Sequence, residues 1–600
     1  MGWGGVYHCG PARPPPFPSP SLSLPTMRSL TLSLSFLALL GPAAAAANCK
    51  AIPSDPSFPA ADVWKAALPN AKARGPQTIP TRPDYRLEAA SVVDVKAAVD
   101  FARKHNVRLS LITSGHDGLA RNDAPSGLLV GLEKLTGVRI ETTFTPSPKG
   151  AAPISKPAPM PKLRKRATPQ AVTFGAGMTT QAINDLIAKE GIYTNGAEHG
   201  EVSVAGGWAQ CGGHGPLTPY VGLGVDDALE FQVVTADGQL RIANAVSEPD
   251  LFWALRGGCG STFGVVVQAT VRAHPSPKMA VTRFTLNATN PAGVAKATAV
   301  LHAAFPDLVK AGVGGYYNLF PGQLTGIFHT VGEQGTSAYS QKIWAPILAK
   351  LGGVDTVVKS TATATYAEFP SYKAYYDKTW GAADAHMKAR RGLSKPDVYN
   401  WWSTPEPEAI PALARRHGPG EAAMLPVSGG RSDGASRLLD AAAVTDPRNA
   451  DLIRKSMPGK GMLRGALLGG PGLHKPGPAD TAVHPSWRST IATLWVPGDG
   501  AGLAELAPKM GSYVNEGAWN ASNWQDVFWG ANYGRLEKVK EKVDPGFVFY
   551  VTPGVGADAW AGNGKGALCK AEGGQGRSGV VKGGFPPVGD NLNLKKGSKG

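Results

Sequence analysis

The chain has 600 residues, an apolar fraction of 42% and a formal net charge of +16. This length allows two or three domains, and the apolar fraction is ordinary for a globular chain with a sizeable core. The charge does not indicate nucleic acid as a partner, because much of it lies in a Pro- and Lys/Arg-rich insertion at 146–168 and in a Gly/Lys-rich tail at 571–600.

The N-terminal segment has the sequence features of a secretory signal peptide and not those of a membrane-spanning helix. Its apolar run, 30–40, is too short to cross a bilayer, and it follows Met27 and Arg28 and precedes a run of alanines. We therefore expect a signal peptide at 27–47, an upstream extension at 1–26 and a secreted protein. Asn287 and Asn520 each begin an N-glycosylation acceptor triplet, as is common in secreted chains.

The first informative pattern is a helix followed by a strand and a small polar loop. Apolar residues recur at three- and four-residue steps over 91–104, and Ser91 with Asp94 resembles a capping box. Alternation over 107–111 then predicts a strand, and the chain breaks at 113–117, with the sequence TSGHD. A loop of this kind can direct backbone N–H groups at an anion. It therefore places His116 beside a candidate phosphate site.

Two further glycine-rich segments follow between predicted strands. The segment 202–217 is too rich in glycine for a strand or helix interior and is typical of backbone laid along a ligand. Strands are predicted at 229–235 and 240–242, and a helix at 249–255 leads into the second glycine-rich segment, 256–264. The spacing of these glycines does not match the dinucleotide fingerprint G-x-G-x-x-G, so a Rossmann domain is not favoured.

Taken in order, these motifs resemble the berberine-bridge-enzyme-like FAD-linked oxidases of the vanillyl-alcohol-oxidase type, and 528–536 with Asp544-Pro545 resembles their C-terminal signature. The resemblance implies an α+β fold. It implies a PCMH-type FAD-binding domain of two α/β subdomains at 76–275, interrupted by the insertion. It also implies a C-terminal segment at 510–556 that returns to the flavin. Between them, at 276–509, alternating apolar runs and helical stretches predict a substrate domain with an antiparallel sheet backed by helices.

The resemblance also implies roles for individual residues. His116 stands where the family links the flavin C8-methyl group covalently through a ring nitrogen. The remaining cofactor-binding residues that it implies are Thr113, Ser114, Gly115 and Asp117 around the pyrophosphate, Gly206, Gly207, Gly212, Gly213 and His214 along the isoalloxazine and its phosphates, Val266 on the adenine side, and Asn532 at the flavin pyrimidine edge.

Two departures from the family pattern concern cysteines. His199 stands where members with two covalent links carry a cysteine, so we expect one link, through His116. Cys211 and Cys259 stand where glycine is usual; each could crowd the flavin, fill space or remain a free thiol. Cys49 and Cys569, near the two ends of the expected domain, could pair in an oxidising compartment.

The implied reaction passes a hydride from an alcohol, sugar or secondary metabolite to FAD, and then electrons to O₂, giving H₂O₂. Tyr513, in the family's Tyr-x-Asn element, is the best candidate to assist deprotonation if its pKa is lowered; the alternative is a core tyrosine with a satisfied hydroxyl. No acidic residue lies in 490–496, where some relatives place one, so Glu516 is the fallback. We expect a monomer that binds a small-molecule substrate and O₂, and no metal site; the rival function is a secreted binding protein without turnover.

Overall fold

A computed structural model describes residues 49–73, 83–119, 121–122, 126–154, 170–381, 434–457, 462–475, 481–498, 500–562 and 567–571. The predicted signal peptide and upstream extension, most of the basic insertion and nearly all of the tail lie outside these residues. The predicted domain limits stay predictions.

The elements are numbered here in chain order. The strands are β1 (Lys72–Ala73), β2 (Tyr85–Glu88), β3 (Leu109–Ile112), β4 (Leu128–Gly131), β5 (Val138–Glu141), β6 (Ala171–Gly175), β7 (Ile192–Tyr193), β8 (Ala228–Val234), β9 (Leu240–Asn244), β10 (Val265–Arg272), β11 (His274–Pro275), β12 (Met279–Asn287), β13 (Gly314–Phe320), β14 (Gln323–Val331), β15 (Ala364–Phe369), β16 (Gly434–Leu439), β17 (Leu463–Leu467), β18 (Ala492–Pro497), β19 (Trp560–Gly562) and β20 (Leu568–Lys570). The α-helices are α1 (Ala61–Ala67), α2 (Val92–His105), α3 (Thr180–Ile187), α4 (Thr218–Val221), α5 (Gly224–Asp227), α6 (Pro249–Leu255), α7 (Pro291–Lys310), α8 (Ser337–Gly352), α9 (Tyr372–Tyr376), α10 (Ala441–Val444), α11 (Asn449–Ser456), α12 (Ala501–Leu506), α13 (Trp524–Trp529) and α14 (Tyr533–Val543).

The first sheet has the order β1-β2-β4-β3, with β2 and β3 both parallel to β4. Parallel strands of one sheet need a crossover connection, and α2 supplies it between β2 and β3, which lie on either side of β4. The predicted capping box is confirmed: the Ser91 hydroxyl accepts from the backbone N–H of Asp94, whose carboxylate accepts from the backbone N–H of Ser91. Because β3 is buried along its whole length, the TSGHD loop leaves from a fixed strand end.

The second sheet is antiparallel, in the order β5-β6-β10-β8-β9. The strands predicted at 229–235 and 240–242 are confirmed as β8 and β9, and the helix predicted at 249–255 is confirmed as α6. Every residue of β6 is buried, and so are all residues of β10 before Arg272. Such continuous burial suits the run of valines that begins β10, and it explains why alternation alone did not identify these strands.

The third sheet is antiparallel with seven strands, in the order β15-β12-β14-β13-β17-β18-β16, and α7 and α8 pack against it. Asn290 begins α7 by accepting from the backbone N–H of Gly293, and Thr336 begins α8 in the same way through Tyr339. The fold expected from the sequence, an α+β arrangement in which an antiparallel sheet is backed by helices, is therefore confirmed.

A disulfide bond joins the N-terminal and C-terminal parts of the described residues. Cys49 is disulfide-bonded to Cys569, as the sequence allowed. Nearby, the Lys540 ammonium is fully buried against the carboxylate of Asp544 and donates to the carbonyl oxygens of Thr262 and Phe549. These additional hydrogen bonds are what allow a buried ion pair to offset the cost of leaving water. None of the described helices is long and apolar enough to cross a membrane.

Candidate active site

One large cavity collects most of the residues that the sequence singled out. The predicted residues that line it are Thr113, Ser114, Gly115, His116, Asp117, Gly206, Gly207, His214, Val266 and Tyr513. It opens between the loop that follows β3, the two glycine-rich segments, β17 of the third sheet and the C-terminal turn 513–516. Residues separated by about four hundred positions in the chain therefore share one site.

The TSGHD loop is held by contacts from within and from the neighbouring segment. Gly115 has φ +73°, a backbone conformation that favours glycine. The Asp117 carboxylate accepts from the backbone N–H groups of Leu119 and Arg121, and the Ser114 hydroxyl accepts from the backbone N–H of Ser203 at 3.1 Å. The loop is thus fixed against the segment that lies across the cavity from it.

Glycine is required where the backbone segments approach one another. A Cβ on Gly206 would come within 2.6 Å of the Thr113 hydroxyl oxygen, and a Cβ on Gly260 would lie 3.3 Å from the Cα of Gly207. At Gly207 itself the nearest atom to a Cβ would be 4.0 Å away, so a side chain there would occupy open cavity. Together these backbone segments form a trough that has room for a flat ligand.

Cys211 and Cys259 form a disulfide bond between the two glycine-rich segments. The sequence left open whether either residue was a free thiol or crowded the ligand. Both are buried, at 2% and 0% exposure, and neither is among the residues that line the cavity. The backbone N–H of Cys259 donates to the carbonyl of Gln210 at 3.0 Å, which holds the two segments together next to the bridge.

Arg121 is a site residue that the sequence reading missed. Its guanidinium donates to the Asp117 carboxylate at 3.0 Å and to the Asn515 amide oxygen at 2.6 Å, and it lies within 3.7 Å of both disulfide sulfurs. It therefore connects the TSGHD loop, the disulfide and the C-terminal turn. The available signal was an arginine four residues after Asp117, but only the fold shows what it reaches.

Tyr513 lies at the cavity wall with its hydroxyl oxygen 2.6 Å from the Asn515 amide nitrogen, which donates to it. Burial, and secondarily the nearby Glu516 carboxylate, raise the pKa of Tyr513. The hypothesis that this tyrosine assists deprotonation required a lowered pKa. The structure places the residue as predicted but shifts its pKa in the opposite direction.

Glu516 is the ionised group on the same turn. Its carboxylate lies 3.0 Å from the Nε2 of His214, and 29% of the side chain is exposed. Burial pushes the pKa of Glu516 upward, but His214 and Arg464 outweigh that effect and hold the pKa below the ordinary carboxyl value. The sequence ranked Glu516 below Tyr513 because Tyr513 matches the family's Tyr-x-Asn element, and it could not show the partners His214 and Arg464, which come from distant segments.

The far end of the cavity carries a second ion pair, between Glu198 and Arg464. The Arg464 guanidinium lies 5.7 Å from the centre of the Tyr316 ring, on the facing strand β13. The Tyr316 hydroxyl and the Glu198 Oε2 are buried without a hydrogen-bond partner in the described part of the chain.

Three predicted site residues lie behind the cavity wall instead of on it. Gly212 sits against the Tyr513 ring, and a Cβ on Gly213 would come within 2.8 Å of Trp208. The Asn532 side-chain amide donates to the carbonyl of Val483 at 2.7 Å, and Asn532 is not among the residues that line the cavity. The described residues contain no group of metal-ligating side chains.

Comparison with known families identifies two parts of the chain. Residues 83–244 match the family described as FAD binding domain, and residues 512–556 match the family described as berberine and berberine like. The first match includes the TSGHD loop and the longer glycine-rich segment. The second contains the turn that carries Tyr513 and Glu516.

Full-length relatives agree with these matches. The chain is 28% identical over 537 residues to an uncharacterized FAD-linked oxidoreductase of Arthroderma benhamiae, with 85% of this chain and 84% of the relative covered. It is 28% identical over 522 residues to the VAO-type flavoprotein oxidase VAO615 of Thermothelomyces thermophilus, covering 82% of this chain and 79% of the relative. The crystal structure of the VAO-type flavoprotein MtVAO713 from Myceliophthora thermophila C1 superposes with a TM-score of 0.71 at 24% identity, over 87% of this chain and 100% of that one. That superposition supports the fold.

Proposed function

Because two parts of this chain match the FAD binding domain and the berberine and berberine like families, and its relatives are FAD-linked oxidoreductases, we propose that it is a secreted oxidase acting on an alcohol, a sugar or a secondary metabolite. Bound FAD would supply the acceptor for the substrate hydride at N5, and O₂ would then take the electrons and become H₂O₂. The observation that carries the proposal is the meeting of the TSGHD loop, both glycine-rich segments and the 513–516 turn at one cavity.

The residues present fit FAD. The trough at Gly206 and Gly207 leaves open the space that a side chain would fill, and Gly260 approaches it from the other segment. Ser114 and Gly115 would hold the pyrophosphate through backbone N–H groups. His116 lines the same cavity and would carry the single covalent link, while His199 takes no part in a link although its ring centre lies 5.9 Å from that of His116.

Two observations support secretion. The disulfides Cys49–Cys569 and Cys211–Cys259 use four cysteines of the chain, and structural disulfides are typical of oxidising compartments. The second is the predicted signal peptide. Of the two glycosylation acceptors, Asn520 is exposed in a turn, whereas the Asn287 side-chain oxygen accepts from Gln323 at 3.0 Å. We therefore propose Asn520 as the glycosylated residue.

The proposal is tested by the visible spectrum of the purified protein before and after denaturing precipitation. Yellow colour that stays with the pellet of the wild type, and is lost to the supernatant in His116→Ala but not in His199→Ala, supports a single link through His116. Both variants remove an imidazole from the same cavity, so each controls for the other. Colour retained in the His116→Ala pellet would place the link elsewhere.

Peroxide release separates the oxidase from a binding protein without turnover. The coloured protein is mixed with a panel of glucose, cellobiose, benzyl alcohol and 4-hydroxybenzyl alcohol in air, and H₂O₂ is measured. Peroxide formation above the flavin-free background supports the oxidase. Anaerobic bleaching of the flavin without peroxide in air would instead indicate a dehydrogenase, and no bleaching by any alcohol would favour the binding protein.

A further inference from the structure

Oxidation of an alcohol needs a group that takes the hydroxyl proton. We propose that Glu516 is this general base and that His214 is the residue that positions it, an inference that rests on the proposed oxidase function. The geometry points to Glu516 because it is the carboxylate on the turn that faces the glycine trough, and because its partners leave one of its oxygens available to the cavity.

The Glu516 carboxylate is carried by a turn that contacts the glycine trough. Glu516 ends the short helical turn Val514–Glu516, and its backbone N–H donates to the carbonyl of Tyr513 at 3.0 Å. The turn itself is fixed from both sides, since Asn515 donates to the Tyr513 hydroxyl and to the carbonyl of Gly207. The base would therefore be held on the same turn that touches the trough.

His214 holds one oxygen of this carboxylate. Its Nε2 contacts Glu516 Oε1 at 3.0 Å, and its backbone carbonyl accepts from the Trp208 indole N–H at 2.9 Å, so the imidazole is fixed. Its Nδ1 is buried and has no hydrogen-bond partner within the described ranges. The imidazole thus cannot meet a substrate through that nitrogen. It would act by holding Oε1, so that Oε2 is the carboxylate oxygen not engaged by His214.

The charges around the Glu516 carboxylate affect its ionisation. Titratable groups come near it from several places: His214 from the longer glycine-rich segment, Arg464 of β17 with its partner Glu198, Tyr513 beside the same turn, and Tyr316 on β13. The histidine and the arginine favour the ionised form, which is the form that accepts a proton. Tyr513 remains a phenol, because burial and the nearby Glu516 carboxylate raise its pKa by more than the hydrogen bond from Asn515 lowers it.

The oxidation removes one proton and one hydride from the substrate alcohol. Glu516 takes the proton from the substrate O–H, and the O–H electron pair forms the second bond of the new carbonyl group. The hydrogen on the adjacent carbon leaves with its electron pair to the flavin. The substrate is oxidised by two electrons, and the proton on Glu516 returns to solvent through the open cavity. Tyr513 can donate a hydrogen bond to the same oxygen but does not take its proton.

The test measures anaerobic flavin bleaching against pH, with the panel alcohol that bleaches the wild type most rapidly. In Glu516→Gln we expect the bleaching rate to fall about 10²–10⁴-fold and the loss of rate at acid pH to disappear. In Glu516→Asp part of the rate should return. In His214→Gln the acid limb should move to higher pH, because a group that lowers the pKa of Glu516 is gone. Glu505→Gln is the matched control, since Glu505 is an exposed surface residue paired with Lys455.

A second readout does not depend on turnover. Infrared difference spectra of the flavin-loaded protein, recorded from neutral to acid pH, should contain a protonated-carboxyl band that Glu516→Gln lacks and Glu505→Gln retains, with flavin content per chain equal in both. Normal bleaching and an unchanged acid limb in Glu516→Gln would overturn the assignment, as would a larger loss in Tyr513→Phe with Glu516→Gln near wild type. A wild type that no alcohol bleaches would instead overturn the oxidase function, and the infrared titration would then report on Glu516 alone.

Discussion

Cys211 is bonded to Cys259 at a position where the backbone itself disfavours any residue other than glycine, because Cys259 has φ +76°. An L-residue in the left-handed region costs roughly 1–2 kcal/mol relative to glycine. The bridge joins the two segments that form the trough, and Arg121 packs its guanidinium against both sulfurs. The disulfide to Cys211 therefore explains why a cysteine occupies position 259, where the backbone conformation favours glycine.

We predict that removing this bridge destabilises the protein and that the replacement residue determines by how much. Loss of the link, which spans 48 residues, should lower the free energy of unfolding by about 2–4 kcal/mol. The double variant Cys211→Gly/Cys259→Gly should be more stable than Cys211→Ser/Cys259→Ser, because glycine removes the backbone cost at 259. Urea unfolding midpoints of the three proteins measure this order. Equal midpoints for the two variants would show that the conformation at 259 is not costly.

Gly207 gives a prediction about the cofactor that is independent of catalysis. Gly207→Val should fold but lose bound flavin, because the new side chain would occupy the trough. Gly534→Val is the matched control, since a Cβ at Gly534 meets nothing within 4 Å. The measurement is the ratio of flavin to protein absorbance together with the far-ultraviolet circular dichroism spectrum. Full flavin content in Gly207→Val would mean that the trough is not the isoalloxazine site.

The parts of this fold that the sequence could predict are those with local causes. The capping box at Ser91, the strand–turn–strand at 228–244 and the helix that starts at Pro249 depend on residues a few positions apart, and each appears as expected. The TSGHD loop and the longer glycine-rich segment could be recognised because glycine and small polar residues limit what a backbone can do there. That these two segments meet at one cavity could be predicted only from the family resemblance.

The parts that could not be predicted depend on contacts between distant segments. Arg121 reaches Asn515 across almost four hundred residues, and Glu198 meets Arg464 from a distant loop, so no local pattern marks either pair. For the same reason, the sequence could not show which of Tyr513 and Glu516 is ionised. Which of two neighbouring groups is ionised is decided by burial and by charges that the fold brings near, and the sequence does not contain those distances.

Removal of the ion pair between Glu198 and Arg464 should change the pH dependence of flavin bleaching. In Glu198→Gln/Arg464→Met the buried ion pair is removed as a whole, so neither partner is left as an uncompensated charge. Glu516 then loses the attraction of Arg464, and its pKa rises towards the value that burial favours. The acid limb of flavin bleaching should therefore move to higher pH. An acid limb that stays at the wild-type pH would show that Arg464 does not act on the titrating group.

The pH dependence of the free energy of unfolding should also reflect the ionisation of Glu516. The folded-state pKa of Glu516 is lower than in the unfolded chain, so its carboxylate stabilises the fold above the ordinary carboxyl pKa, and this contribution is lost as the pH falls through the folded value. The difference in urea midpoint between wild type and Glu516→Gln should therefore be constant near neutral pH and shrink only on acidification. A difference that grows on acidification would contradict the lowered pKa.

Lys540 supplies a final prediction, which concerns the link between the C-terminal segment and the cofactor domain. Lys540→Met leaves the Asp544 carboxylate buried without its counter-ion and should lower the free energy of unfolding by about 3–5 kcal/mol. Lys540→Met/Asp544→Asn removes both charges, keeps an amide oxygen that can accept from the backbone N–H of Val548 or Phe549, and should recover part of the loss. Urea unfolding measures both. If the double variant is no more stable than the single one, the cost comes instead from the hydrogen bonds that Lys540 donates to the carbonyls of Thr262 and Phe549.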